Sequence, residues 1–244
     1  MRPQLVDYNG DGHMDIIAGG FGGQSYVALG NEDGFAAPVT IKDENGNEIA
    51  LGVHYVYEGE ETGYLPMDPM PFADDASGQA KGDRSEGFTL VDWDADGDLD
   101  ILLGASSGRL YLRENIGSRS GPVYAALNTE LMATNGEPLG THLTHAIPVV
   151  ADWNADGKFD IISSGANAEV VWFCNVGEPG EPAFAPREEV VQPLYDLNHT
   201  GDRNGTRSTV EVVDYDGDGD MDLLVGDMEG YVWFYPFQYN DRRN

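Results

Sequence analysis

Positive charge is scarce in this 244-residue sequence, which has 13 Lys and Arg residues against 43 Asp and Glu residues and a formal net charge of −30. A surface of this sign repels the phosphate backbone of DNA or RNA, so the composition excludes a nucleic-acid-binding protein. The same charge argues against binding to an anionic membrane surface.

Cysteine, long apolar runs and helical periodicity are also lacking. Cys174 is the only cysteine, so no internal disulfide can reinforce the fold, and its apolar flanks predict a buried strand position rather than a reactive thiol. No run of 18 apolar residues is present, so we expect no membrane insertion. The first residues have no apolar core of a signal peptide, so we expect none in this chain. The 32 Gly and 13 Pro residues are typical of short strands joined by tight turns.

A nine-residue acidic pattern occurs four times, at residues 7–15, 92–100, 152–160 and 214–222. Positions 1, 3, 5 and 9 are always Asp or Asn, and position 6 is always Gly. Position 2 is always Tyr or Trp, and position 8 is always apolar. Successive copies begin 85, 60 and 62 residues apart. The chain therefore contains a repeat of about 60 residues with one insertion.

The oxygen-rich pattern suits a calcium ion, which binds six to eight oxygen ligands. The side chains at positions 1, 3 and 5 converge when the chain curls, and Gly at position 6 permits the sharp turn. Position 7 offers its backbone carbonyl, and the side chain at position 9 completes the set of oxygen ligands around the ion. The loop is not an EF-hand, because position 12 is never Glu and no helix pattern flanks it. A set of Asp- and Gly-rich turns without an ion is the alternative, but its crowded carboxylates would repel one another. The sequence thus predicts about four Ca²⁺ ions, bound by Asp7, Asn9, Asp11, His13, Asp15, Asp92, Asp94, Asp96, Asp98, Asp100, Asp152, Asn154, Asp156, Lys158, Asp160, Asp214, Asp216, Asp218, Asp220 and Asp222, with His13, Asp98, Lys158 and Asp220 acting through their carbonyls.

Each acidic loop lies between two short apolar segments, and a Gly-containing turn then leads into an aromatic-rich third segment. In three repeats a fourth strand-like segment follows. A unit of four short antiparallel strands cannot bury both of its faces alone, so neighbouring units must stack as the blades of a β-propeller do. The sequence therefore predicts an all-β fold, one domain over residues 1–244, with repeats at about 1–42, 87–131, 145–191 and 208–237 and an insertion at 43–86.

The repeat resembles the FG-GAP/VCBS repeat of integrin-α-type β-propellers. The resemblance is specific in the Asp-x-Asp/Asn-x-Asp-Gly-x-x-Asp loop and in the apolar strand that follows it, whereas the Gly-Ala-Pro part of the family pattern is only approached at residues 104–106 and 165–167. It implies that the loop joins the first two strands of each blade and that the metal ligands carry over position by position. It does not imply integrin-like ligand recognition.

The number of blades is open at this point, because propellers of this family usually have seven or more and only four repeats are present. A four-bladed ring, part of a larger propeller and a ring completed by another chain all fit the pattern, and a compact four-bladed propeller is the preferred interpretation. The fourth repeat ends at its third strand. The strand-like run at residues 53–57 of the insertion could supply the missing edge.

Functional residues are expected in the segments that join the blades, because rigid scaffolds display function on loops. We hypothesise a glycan site lined by His142, His145, Arg203 and Arg207, in which Arg would pair with a uronate carboxylate and His would abstract a proton. The preferred function is a calcium-stabilised binding or adhesion module for glycan or protein, located outside the cell, on its surface or in the periplasm. The alternative is a polysaccharide lyase acting on uronate-containing glycans. The first is preferred because the strong signals are architectural rather than catalytic.

Overall fold

The computed structural model describes residues 3–19, 24–49, 51, 73–74, 80–81, 85–142, 144–166, 169–191, 208–227 and 230–236. All regular secondary structure in these ranges is β-strand, as the sequence predicts. Within them no helix has the length and apolar character needed to cross a bilayer.

Four antiparallel sheets follow one another along the chain as the four blades of a β-propeller. Blade 1 contains β1 (Gln4–Val6), β2 (Asp15–Gly19), β3 (Ser25–Ala28) and β6 (Val39–Thr40), and the short hairpin of β4 (Gly30–Asn31) and β5 (Gly34–Phe35) lies between its last two strands. The two-stranded pair β7 (Ala73–Asp74) and β8 (Ala80–Lys81) belongs to the insertion. Blade 2 contains β9 (Ser85–Val91), β10 (Asp100–Ala105), β11 (Leu110–Arg113) and β12 (Thr129–Glu130). Blade 3 contains β13 (Ile147–Ala151), β14 (Asp160–Ser164), β15 (Val170–Phe173) and β16 (Glu188–Val191), and blade 4 contains β17 (Thr209–Val213), β18 (Asp222–Gly226) and β19 (Val232–Tyr235).

Each blade is a simple meander in which consecutive strands pair, and the acidic loop joins the first two strands in all four. This is the position that the family resemblance implies. Blade 4 has three strands among the described residues, in agreement with the sequence, in which the fourth repeat ends at its third strand. The run at residues 53–57 lies outside the described residues, so its proposed role as an edge strand stays a prediction.

The hydrophobic cores lie between blades, because strand residues alternate between the two faces of a sheet. The residue after position 9 faces the preceding blade: Ile101 packs in the core with blade 1, and Ile161 packs in the core with blade 2. The next residue faces the following blade, as Leu102 and Ile162 do. Both faces of the middle blades are therefore apolar, and the second strand reads as a continuous hydrophobic run.

Backbone hydrogen bonds also join successive blades. We use the name latch hairpins for residues 43–47 and 133–137, which follow the fourth strands of blades 1 and 2. The Glu44 N–H donates to the Tyr124 carbonyl, and the Thr134 N–H donates to the Phe184 carbonyl, both at 2.8 Å. Each latch hairpin thus holds its own blade against the next one.

Candidate metal loops

The first, third and fourth acidic loops curl around the carboxylate of their first side chain. In the first loop, the Asp7 carboxylate accepts hydrogen bonds from the N–H groups of Asp11 and Gly12, both at 3.1 Å. In the third loop, the Asp152 carboxylate accepts the equivalent bonds at 3.0 and 2.9 Å. The side chain at position 5 accepts a bond from the N–H of position 7, as Asp11 does from His13 at 2.8 Å. These local bonds place the side-chain oxygens of positions 1, 3 and 5 on the inside of the turn.

Positions 4 and 6 of each loop adopt left-handed backbone conformations. Position 6 is Gly in every copy, with φ between 87° and 95°. Position 4 is Gly10, Ala95, Ala155 or Gly217, with φ from 56° to 78°. A Cβ atom is disfavoured in this region, so the two alanines are held there by the rest of the loop.

Positions 1, 3 and 5 converge as predicted in the two loops where all three are Asp. One carboxylate oxygen from each member of a trio lies within 4.8 Å of the others, in one case in Asp92, Asp94 and Asp96 and in the other in Asp214, Asp216 and Asp218. The first and third loops have Asn9 and Asn154 at position 3, so an amide oxygen replaces one carboxylate of the trio.

The hydrogen bonding of one oxygen in the second loop indicates whether these residues suit a cation. Asp92 Oδ1 is buried, and within the described residues it has no hydrogen-bond partner. The first side chain of the other three loops uses this atom to accept a backbone N–H. Burying a carboxylate oxygen without a partner is costly, and a bound cation would remove that cost. The donor set, oxygen only and largely carboxylate, is the one that Ca²⁺ prefers.

The Asp at position 9 has a second role that the sequence pattern does not predict. Asp15, Asp100 and Asp160 are buried, and one carboxylate oxygen of each accepts the N–H of position 2, at 2.8 to 3.3 Å. The other oxygen accepts an N–H exactly fifteen residues further along the chain, at 2.6 to 2.7 Å. Position 9 therefore clamps its loop to the turn after the third strand, whether or not it also binds metal.

In blades 2 and 3 the residues that donate this second N–H are Asn115 and Asn175. Their side chains accept further hydrogen bonds from the hairpin that follows. Asn115 Oδ1 accepts the N–H groups of Gly117 and Val123, both at 3.0 Å. Asn175 Oδ1 does the same for its own hairpin. The sequence contains a signal for this arrangement, because Asn-x-Gly recurs at the same distance after position 9 in the second and third repeats.

Position 7 side chains have no common role, and the use of the position 7 carbonyl as a ligand stays a prediction. Lys158 donates from Nζ to the Gly177 carbonyl at 3.2 Å, whereas Asp98 is buried. Burial, together with the charges of Asp96 and Asp94, raises the pKa of Asp98. Burial also raises the pKa of Asp100 to about 6. Crowded carboxylates of this kind favour a compensating cation.

Two of the loops are covered by the next blade. The Arg119 side chain of blade 2 packs against Gly10 and donates from Nη2 to the Asp7 carbonyl. In the same way Gly180 of blade 3 lies against the Asp94 carbonyl. The hairpin after the third strand of one blade thus braces the acidic loop of the preceding blade.

The predicted glycan site is described only in part. The backbone N–H of His142 donates to Glu169 Oε1 at 2.7 Å, and His142 Nδ1 lies 3.9 Å from Glu189 Oε1. His145 Nδ1 lies 3.2 Å from Glu86 Oε1, so a glutamate carboxylate lies near each imidazole. Arg203 and Arg207 lie outside the described residues, so the four-residue site and its catalytic role stay a prediction.

Comparison with known proteins identifies the repeat. The sequence matches the family of FG-GAP-like repeats over residues 92–163 and again over residues 152–225, which together span more than half of the chain. No curated protein matches the chain significantly. Among solved structures, a chain of the Photorhabdus luminescens Tc holotoxin pore is similar at 16% identity with a TM-score of 0.46. The alignment covers 96% of this chain but only 9% of that one.

Proposed function

Because the chain belongs to the family of FG-GAP-like repeat β-propellers, we propose that it is a calcium-stabilised propeller that acts as a binding or adhesion module outside the cytoplasm. The observation that carries the calcium part is the buried, unpartnered Asp92 Oδ1 beside the Asp94 and Asp96 carboxylates. The same loop is built four times, so the protein offers four oxygen sites of one design.

Calcium in these loops would be structural rather than catalytic. The oxygens at positions 1, 3 and 5 would hold the ion, and its charge would neutralise carboxylates that otherwise repel one another. Because position 9 is clamped to the turn after the third strand, order in the loop is transmitted to the blade. Extracellular modules bind calcium at about 10⁻⁴–10⁻³ M, and a concentration in this range is available outside cells.

Thermal unfolding with and without a chelator tests the proposal. Free calcium at about one hundred times Kd adds roughly 2.7 kcal/mol of stability for each independent site. We therefore expect EDTA to lower the melting temperature strongly and added Ca²⁺ to restore it. Asp92→Asn should reduce the calcium-dependent part, whereas Glu32→Gln, an exposed acidic change outside the loops, should not. The proposal would be contradicted if EDTA left the melting temperature unchanged and atomic emission showed that the purified protein contains no calcium.

The binding role is preferred to the lyase alternative because of the electrostatics around His142 and His145. Glu189 and Glu86 lie within 4 Å of the imidazoles of His142 and His145, and Glu169 accepts the backbone N–H of His142. Three carboxylates disfavour a uronate and fit a neutral glycan or a protein surface better. A glycan array in calcium and in EDTA, combined with an absorbance assay for unsaturated uronates, distinguishes the two functions. Calcium-dependent binding without turnover supports the module, whereas unsaturated products would establish the lyase.

A further inference from the structure

Every internal blade presents an upstream face to the preceding blade and a downstream face to the following one. Blade 1 also has an upstream face, formed on its strands by Leu5, Ile16, Ala18, Tyr26 and Ala28. Blade 4 has a downstream face, formed by Thr209, Glu211, Leu224, Val232 and Phe234. These two end faces use the same repeat positions as the blade–blade interfaces inside the chain.

The downstream face of blade 4 exposes apolar side chains that are buried at equivalent positions. Val232 is 70% exposed. Its equivalents in blades 2 and 3 are Leu110 and Val170, because all three pair with the residue four positions after the position 9 Asp. Leu110 and Val170 are fully buried. Phe234 is 42% exposed, and its counterpart Trp172 is 6% exposed. The difference is the presence of a following blade.

The upstream face of blade 1 shows the complementary difference. Leu5 is 63% exposed, whereas Leu90 at the same position of blade 2 is 8% exposed. Phe35 is 51% exposed, whereas its counterparts Tyr124 and Phe184, which receive the latch hairpins of the preceding blades, are buried. The repeat therefore places an aromatic residue here that the preceding blade normally covers.

A glycine at one repeat position gives independent support. A Cβ on Gly104 would lie 2.2 Å from the carbonyl oxygen of Ala146, at the start of blade 3. At the same position of blade 4, a Cβ on Gly226 would meet only Thr209 Oγ1 of its own blade, at 3.4 Å, among the described residues. No described part of the chain fills the space that a following blade would fill against blade 4.

We propose that the downstream face of blade 4 in one copy of the chain packs against the upstream face of blade 1 in a second copy. A second copy is the expected partner because the three blade–blade interfaces in the chain join these same repeat positions. Blade 1 of another copy would therefore continue the series of blades after blade 4. Apolar residues are the majority on both faces: Leu5, Val232 and Phe234 are exposed in one copy, and the other apolar residues that form these faces are half-buried. The contact is head to tail, so it joins copies into a closed ring or a longer array.

The charge of the chain sets the conditions for this association. A formal net charge of −30 makes copies repel one another at long range, and salt screens that repulsion. Self-association should therefore strengthen between low and physiological ionic strength. The expected dependence of self-association on salt follows from the two end faces and the net charge, and it does not depend on the proposed binding function.

Analytical ultracentrifugation of the full chain, over a concentration series in calcium at physiological salt, tests the proposal. We expect the average mass to rise from one copy to two or more as concentration increases. Val232→Asp should weaken association by at least about tenfold, because it places a charge in the centre of the contact. Leu127→Asp, on a residue of blade 2 that is 52% exposed, should leave association unchanged. A monomer at every concentration, or equal effects of the two variants, would overturn the proposal.

Cysteine pairing identifies the faces involved. In a Cys174→Ala background, copies with Leu224→Cys are mixed with copies with Ile16→Cys under mild oxidation. Disulfides between the two kinds of copy, without disulfides within either kind, support head-to-tail contact. Pairing within one kind would indicate a symmetric contact and overturn the proposal. Both cysteines in one chain provide a second test, since a monomer closed by an internal disulfide would show that blade 4 covers blade 1 of its own chain.

Discussion

The clamp at position 9 can be separated from calcium binding by one substitution. In the structure the buried Asp100 carboxylate accepts the Trp93 N–H at 3.0 Å and the Asn115 N–H at 2.7 Å. Asp100→Ala removes both acceptors and leaves two backbone donors unsatisfied, each at a cost of about 1–3 kcal/mol. The free energy of unfolding should therefore fall by about 2–6 kcal/mol. Burial disfavours the charged form, which is why the pKa of Asp100 is raised to about 6, so we expect the lower half of this range.

Urea unfolding followed by tryptophan fluorescence, at pH 8 where this carboxyl is ionised, provides the measurement. The experiment is run in calcium and again in EDTA. If position 9 clamps the blade, most of the loss caused by Asp100→Ala persists in EDTA. Asp96→Asn is the matched control, because Asp96 is an exposed residue at position 5 of the same loop. Its effect should be confined to the calcium series.

The result that refutes the clamp is equally specific. A loss for Asp100→Ala that disappears in EDTA would show that Asp100 acts only as a metal ligand. A loss below about 0.5 kcal/mol in both series, the range expected of an ordinary surface substitution, would show that the two hydrogen bonds contribute little.

Other substitutions test the contacts between blades and the loop backbone. Gly104→Ala should destabilise by about 1–3 kcal/mol, because its Cβ would meet the backbone of blade 3, whereas Gly226→Ala should be nearly neutral in urea unfolding. Arg119→Ala removes the hydrogen bond to the Asp7 carbonyl and should cost about 1 kcal/mol; an unchanged unfolding midpoint would show that this bracing is unimportant. Ala155→Gly relieves a left-handed alanine with φ of 56° and should raise stability by about 1 kcal/mol, and a lower melting temperature would contradict the assignment of strain.

The blades could be predicted from the sequence because their signal is local and repeated. The acidic loop fixes the turn, and the apolar residues that follow position 9 fix the second strand. The double role of Asp100 and Asp160 does not follow from the repeat, because the pattern predicts only a metal ligand for an Asp in that position. Detecting it required a relation across fifteen residues, between position 9 and the N–H of Asn115 or Asn175.

The bounds of the fourth strands and the latch hairpins are less accessible to sequence reasoning. The sequence predicts a fourth strand-like segment in three repeats, but Val39–Thr40 and Thr129–Glu130 contain two residues each, too few for a strand period to define their bounds. Both latch hairpins bond to the next blade through the main chain, and the one described side-chain bond to that blade, from the Ala126 N–H to Glu44 Oε1, belongs to the first, so no shared side-chain pattern marks them. For the candidate glycan site, the sequence could group residues by segment but could not predict that His142 and His145 would have glutamate neighbours.

The latch hairpins have an evolutionary consequence. Any residue other than proline can supply the N–H that Glu44 and Thr134 now donate. Residues 43–47 and 133–137 share only Asn-Gly, whose glycines adopt φ of 79° and 83° in the two turns. Ala133 is buried, and the Asp43 and Glu44 carboxylates accept backbone N–H groups, whereas an exposed side chain such as that of Thr134 can change by mutation without loosening the blades. New binding specificity can be acquired on these hairpins at little risk to the fold.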